Sequence, residues 1–257
     1  MRGKQIMTVT GPVNANLLGT VYSHEHLIVQ PQIPDEKYIA YTLSDENASA
    51  KEVQLFANAG GKTIVEMTPI NYGRDVLAYQ RIAKKTGIYV ICCTGFHKEL
   101  FMPSWFKEKK SSQIYDEVLN EIENGIDKTS IRPGVIKMGT SFENITDQER
   151  RAVEIVARLH QDTGIMISTH CDKGTMGIEQ LDLLEHYGVS AKDVLLGHID
   201  SKHDIDYAKE LCKRGAKICI DHVGRSLSDH DAFCVQLITE LIAVSYTHLR
   251  AHETDQY

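Results

Sequence analysis

The chain has no excess of positive charge, no paired-cysteine motif and no long apolar run. Lys and Arg number 28 against 35 Asp and Glu, a net charge of -7, which argues against nucleic acid or an anionic membrane as the main partner. The six cysteines (Cys92, Cys93, Cys171, Cys212, Cys219 and Cys234) form no CxxC pair and lie mostly in or beside apolar runs. They read as buried free thiols of a reducing cytosol. No apolar stretch reaches the roughly 18 residues of a membrane span. No apolar h-region follows the basic residues of Met-Arg-Gly-Lys-Gln-Ile, so a cytoplasmic chain without a leader is expected.

What is present is an ordinary soluble composition, 42% hydrophobic and 25% charged over 257 residues, arranged as an alternation. Short apolar runs predict strands at Val21–His26, Thr63–Met67, Tyr89–Thr94, Gly134–Met138, Ile165–His170, Val194–Gly197 and Lys217–Asp221. They lack strict polar alternation, as parallel strands covered on both faces do. Helix-like stretches separate them: Ala50–Ala59, Arg74–Thr86, Ile114–Asn124, Thr146–Thr163, Gly177–Tyr187 and Asp204–Arg214. Thr146-Asp-Gln-Glu149 fits a capping box, and Gly60-Gly61, Gly87, Gly164, Gly188 and Gly215 fall where helices end. Seven β/α units in series predict an α/β fold of the (β/α)8 TIM-barrel type, for which about 250 residues is usual.

The end of the chain departs from this pattern. After Leu241-Ile242-Ala243 no strand-like run follows, so the eighth β/α unit is expected to be missing. The expected organisation is one incomplete barrel domain over residues 1–244. Residues 245–257 are read as a non-native tail, the read-through of a truncated or misassembled frame. His248 and His252, four apart within it, are treated as a decoy.

Polar, ionisable residues close the predicted strands. His24 and His26 lie two apart in Tyr22-Ser-His-Glu-His-Leu27, and on a strand such residues face the same way, so one metal can take both imidazoles. Lys137, His170, His198 and Asp221 end four further apolar runs, the placement expected of functional residues on a barrel's C-terminal face. Imidazoles from three strands suit zinc or a similar divalent ion. An ammonium cannot ligate a metal. Lys137 is therefore either a surface or salt-bridged lysine or a carbamate formed with CO2, whose two oxygens can bridge a pair of ions. Its level with the histidines favours the carbamate. Such a metal pair would make hydroxide available near neutral pH and polarise an ester, lactone or phosphoryl oxygen.

With these motifs in order, the chain resembles the phosphotriesterase family of the amidohydrolase superfamily across about Ile6–Ala243. The resemblance is carried by Thr-Val-Tyr-Ser-His-Glu-His-Leu, Thr-Ile-Val-Glu-Met-Thr-Pro-Ile-Asn-Tyr-Gly-Arg-Asp, Cys-Thr-Gly-Phe-His, Gly-Val-Ile-Lys-Met-Gly-Thr, Ser-Thr-His170, Gly-His198-Ile-Asp and Ile-Asp-His222-Val-Gly-Arg225. It implies that His24 and His26 hold the more buried ion, that His170 and His198 hold the more exposed one, and that carbamylated Lys137 bridges them. The expected ions are Zn2+, with Mn2+ or Co2+ as alternatives. The family also uses an aspartate at the end of strand eight, for which this sequence has no counterpart. Asp221 reads as a support to a ligand rather than a replacement.

Within the family the look is closest to lactonases of phosphorylated sugar lactones. Tyr72, Arg74, His97, Lys98 and Arg225 lie on loops after the strands, and of these Tyr72, Lys98 and Arg225 are the expected substrate contacts, the two cations suiting a phosphate monoester. Lys137, His222 and Asp200 are the expected catalytic set, His222 and Asp200 as proton relay. Alternatives are an organophosphate or acyl-homoserine lactone hydrolase, a mononuclear amidohydrolase acting on C–N bonds, and an inactive barrel fragment. Glu25 and Glu66 read as structural, and His160, His186, His203 and His230 as solvated. Phe101, Met102, Trp105 and Phe106 read as a lid, a homodimer patch or a local apolar cluster. The expected partner is a small-molecule substrate.

Overall fold

A computed structural model describes residues 4–31, 41–224, 229–244, 246 and 249–251. The chain divides into two compact units. The first holds the described residues of Met1–His97 and Phe101–Lys137, and the second those of Lys98–Leu100 and Met138–His252.

The first unit opens with an antiparallel hairpin that the sequence pattern does not announce, β1 (Gln5–Thr8) and β2 (Gly11–Asn14). Three parallel strands follow: β3 (Thr20–Glu25), β4 (Gly61–Glu66) and β5 (Tyr89–Gly95). Residues Val135–Lys137 of β6 (Val135–Thr140) pair beside β5. Helices α1 (Glu46–Asn58) and α2 (Val76–Thr86) connect these strands, with the short α3 (Ser104–Glu108) and then α4 (Ser111–Asn124) before β6. Helix α2 starts where the Asp75 side chain accepts from the Ala78 N–H and stops at Gly87 in the left-handed conformation, which an L side chain reaches only at a cost. Leu27, Val53, Ile64, Tyr79, Ile82 and Val90 belong to its core.

The second unit has the strand order β10-β9-β8-β7-β6: β7 (Ile167–Cys171), β8 (Val194–Gly197), β9 (Lys217–Ile220) and β10 (Leu249–Ala251). Its helices are α5 (Asp147–Thr163), α6 (Gly177–His186), α7 (Ile205–Lys213) and α8 (Asp229–Ala243). The Thr146–Glu149 capping box forms as read from the sequence, and Gly164 ends α5 in the left-handed conformation. Val156, Leu159, Ile167, Leu184, Leu211 and Leu237 are buried in this unit.

Two features differ from the sequence reading. Lys137 does not end its strand, because β6 runs on to Thr140. At the end of the chain, Leu249 and Ala251 pair in parallel with Ile218 and Ile220 of β9. Backbone pairing needs no apolar run, which is why the sequence pattern leaves this place empty. No helix follows β10 among the described residues, so these three residues do not make a complete β/α unit.

Two local contacts hold the first unit's strand ends in place. Gly95, at φ +96°, would bring a Cβ within 2.1 Å of the Lys137 carbonyl oxygen. The bare Cα lets β5 approach β6 at the lysine, where the Phe96 N–H donates to the Lys137 carbonyl at 2.9 Å. Below the strand ends, Arg74 makes a two-pronged ion pair with Glu121, and the Thr94 hydroxyl donates to the same carboxylate at 2.6 Å. Arg74 is therefore committed to a buried pair, not offered as a cation at a loop surface. Gly95→Ala is expected to lower unfolding free energy by about 2–3 kcal/mol, seen as a lower urea midpoint with an unchanged slope. An unchanged midpoint would mean that the two strands can part at little cost.

Candidate metal centre

The first unit brings together His24, His26 and Lys137. The β3–β4 register slips between Tyr22 and Glu25, and such irregularities re-aim side chains at strand ends. His24 sits within that slip and His26 just beyond the strand, with ring centroids 5.7 Å apart. Lys137 is 1% exposed, and its Nζ lies 3.1 Å from His24 Nε2. The surface-lysine alternative is thereby removed.

His26 is held from behind. Its Nδ1 shares a hydrogen bond with the Thr68 hydroxyl at 2.8 Å. That hydroxyl also donates to Glu66 Oε1 at 2.6 Å, and the Glu66 carboxyl accepts from the Leu27 and Thr68 backbone N–H groups. Glu66 is fully buried, and burial pushes its carboxyl up to about 7 against the opposing effect of those bonds. The sequence reading gave Glu66 only a structural role and did not single out Thr68. The signal was available, since Glu66 and Thr68 are two apart at the end of an apolar strand, as His24 and His26 are.

Tyr72 is buried, its ring 4.7 Å from His97, 4.6 Å from Phe101 and 5.8 Å from His26. Phe106 is buried against Phe96 and Trp105 lies under the Lys109 ammonium.

The second unit brings together His170, His198, Asp221 and His222. His170 lies in β7, and His198 follows β8 in the left-handed conformation at φ 64°. A non-glycine residue there costs of order 1 kcal/mol and commonly marks a functional turn. The His170 and His198 ring centroids are 4.6 Å apart. Asp221 Oδ1 accepts from His198 Nδ1 at 2.9 Å, and His222 stacks on His198 with ring centroids at 4.8 Å. His222 Nδ1 meets the Ser201 hydroxyl at 2.6 Å and lies 3.5 Å from Asp200 Oδ2, which also accepts the His222 backbone N–H.

The remaining expectations divide. Lys98 forms an ion pair with Asp172. Arg225 and the histidines at 248 and 252 lie outside the described residues. His186 and His203 are exposed, but His230, read as solvated, is 8% exposed and bonds to fully buried Asp200 at 2.9 Å. Its helix-start position hid this, because the contact comes from a turn thirty residues earlier. All six cysteines are buried free thiols.

The donor set fits divalent ions. His26 and His198 each commit Nδ1 to an oxygen partner, which directs Nε2 to a metal, the arrangement that orients ligating imidazoles. The ligand atoms of His198, Asp221 and His222 lie within 4.8 Å of one another.

A family model described as the phosphotriesterase family matches residues 4–248. The chain belongs to the phosphotriesterase family. Membership makes it a metal-dependent ester hydrolase. A phosphotriesterase homology protein of Escherichia coli is 32% identical over 81% of this chain and 71% of its own length. A phospho-furanose lactonase of Mycoplasmopsis agalactiae is 32% identical over 86% of this chain and 67% of its own length. The crystal structure of a lactonase from Listeria monocytogenes matches with a TM-score of 0.91 at 29% identity, covering 96% of this chain and 82% of that one. The α/β barrel class read from the sequence is thus the chain's fold class. No helix among the described residues is long and apolar enough to cross a membrane.

The Glu66 carboxyl generates a prediction for the metal-free protein. Its folded pKa of about 7 lies above the ordinary 4.5, so the folded state binds the proton more tightly. The Glu66 contribution to stability is greatest below pH 4.5, falls by about 3 kcal/mol as pH rises to 7, and is level above that. Glu66→Gln should remove this fall, measured as urea midpoints across the pH range; a slope identical to that of the parent would assign it to other groups.

Proposed function

We propose that this enzyme hydrolyses a lactone, specifically a phosphorylated sugar lactone, at a pair of divalent ions. The residues that would hold them are His24, His26 and a carbamylated Lys137 of the first unit and His170 and His198 of the second. The observation that carries this reading is the burial of the Lys137 amine against His24 Nε2. An ammonium held against a metal-binding imidazole repels the cation which that imidazole would ligate. Converted by CO2 to a carbamate, the same side chain supplies an anion where the imidazoles need a partner.

Bound divalent ions lower the pKa of water toward neutrality and polarise the ester carbonyl. The chain's own residues manage position and protons. Asp221 and Thr68 fix the His198 and His26 rings through Nδ1. His222 takes the proton released by the attacking water, its Nδ1 held 2.6 Å from the Ser201 hydroxyl with Asp200 Oδ2 at 3.5 Å. The same proton then returns to the ring oxygen as the lactone opens. The similarity to a phospho-furanose lactonase supports the substrate class. Lys98 and Arg225 are the cations proposed for the phosphate, Lys98 by exchanging its Asp172 partner for the substrate.

Metal analysis of the wild-type chain should find two ions of this centre, and Lys137→Ala should lose them together with about 10^3-fold in kcat/KM. Bicarbonate with a short carboxylic acid should restore part of both. Full metal content and activity in Lys137→Ala would end the carbamate proposal. On a panel of lactones with and without phosphate, and a phosphotriester, phosphorylated lactones should be cleaved fastest. Lys98→Ala should raise KM for them about tenfold and leave neutral lactones unchanged. Equal effects on both would remove Lys98 from phosphate binding.

A further inference from the structure

A second cluster of metal-ligating side chains lies in the second unit. Asp200 sits in the turn after β8, and His230 and Cys234 stand four apart on α8, one turn apart on the same face. His230 Nε2 is 2.9 Å from Asp200 Oδ2 and 3.4 Å from Cys234 Sγ, and that sulfur is 4.0 Å from the same Asp200 oxygen. All three residues are buried, at 0%, 8% and 1% exposure for Asp200, His230 and Cys234. We propose that Asp200, His230 and Cys234 form a separate metal site that takes one zinc-class divalent cation.

Three observations support the site. Tetrahedral zinc with ordinary bond lengths separates its oxygen, nitrogen and sulfur ligands by about 3.4–3.6 Å. The three edges measured in this protein each lie within about 0.5 Å of that. Two groups, the carboxylate and the sulfur, converge on a single ring nitrogen that can make only one good hydrogen bond, whereas one cation satisfies all three. Asp200 Oδ1, on the same carboxylate, is buried without a hydrogen-bond partner, an expensive state for an anion that a cation bound to the carboxylate would offset.

The surroundings suit the cation as well. His230 Nδ1 shares a hydrogen bond with His203 Nε2 at 2.7 Å, which turns Nε2 toward the site when the proton sits on Nδ1. Binding breaks the Cys234 S–H bond and releases that proton to solvent. The thiolate and the Asp200 carboxylate then balance the 2+ charge, leaving a neutral buried centre. A thiolate ligand selects zinc or cobalt over magnesium or calcium. The cation would fasten α8 to the turn that carries Asp200.

Cobalt titration of the metal-free full chain tests the site, with Lys137→Ala and Cys234→Ser telling its sulfur apart from the carbamate centre and from the thiol of Cys219. A thiolate-to-cobalt charge-transfer band in the near ultraviolet should appear and saturate at one equivalent. It should persist in Lys137→Ala and vanish in Cys234→Ser. His230→Gln, which keeps the thiol, should weaken cobalt binding at least tenfold and serves if Cys234→Ser does not fold. Absence of the band from the wild type, or a band unchanged in these variants, would overturn the proposal and leave the three residues as a hydrogen-bonded cluster.

Discussion

The proposed centre depends on keeping one amine dry. Lys137 stands against His24 with almost no access to water, so in that proposal its charge state decides whether cations are repelled or held. The backbone is arranged around that demand. Glycine at position 95 lets the neighbouring strand close over the lysine's carbonyl, and the slipped register of β3 turns His24 toward the amine. An ordinary strand pairing with a side chain at position 95 would push the two backbones apart at the residue whose position matters most.

In the second unit the imidazoles are positioned by carboxylates and hydroxyls. Asp221 sets the His198 ring, and His222 is stacked on that ring and tethered to Ser201. Asp200 reaches both the His222 backbone and His230. The left-handed backbone at His198 is part of the same arrangement, because it directs the residue away from the strand line. Strain of this size is tolerable because the neighbouring hydrogen bonds are strong and buried.

The sequence revealed the α/β alternation and the metal-ligand candidates because both follow short-range rules: apolar runs of strand length, helix caps, and polar residues where runs stop. The Thr146–Glu149 capping box and the glycine after α5 were readable for the same reason. Less was legible where a contact joins distant positions. Thr68 behind His26, Glu66 beneath both and His230 against Asp200 depend on partners brought together only by folding. Lys98 and Arg74 looked like available cations, and only the structure reveals Asp172 and Glu121 beside them. The β1–β2 hairpin and the brief β10 pairing rest on backbone hydrogen bonds, which leave little trace in side-chain pattern.

The pairing of Arg74 with Glu121 has an evolutionary consequence. Its guanidinium is buried, and the carboxylate it meets is also engaged by Thr94. Losing Arg74 leaves the Glu121 carboxylate without its cation, and losing Glu121 leaves Arg74 only the exposed Asp127 at 3.7 Å, whereas exchanging both for apolar side chains of similar volume can be close to neutral. Positions 74 and 121 should therefore change together among descendants of this sequence, each substitution tolerated only in company with the other. A laboratory library that randomises them one at a time would find fewer replacements than one that varies both together.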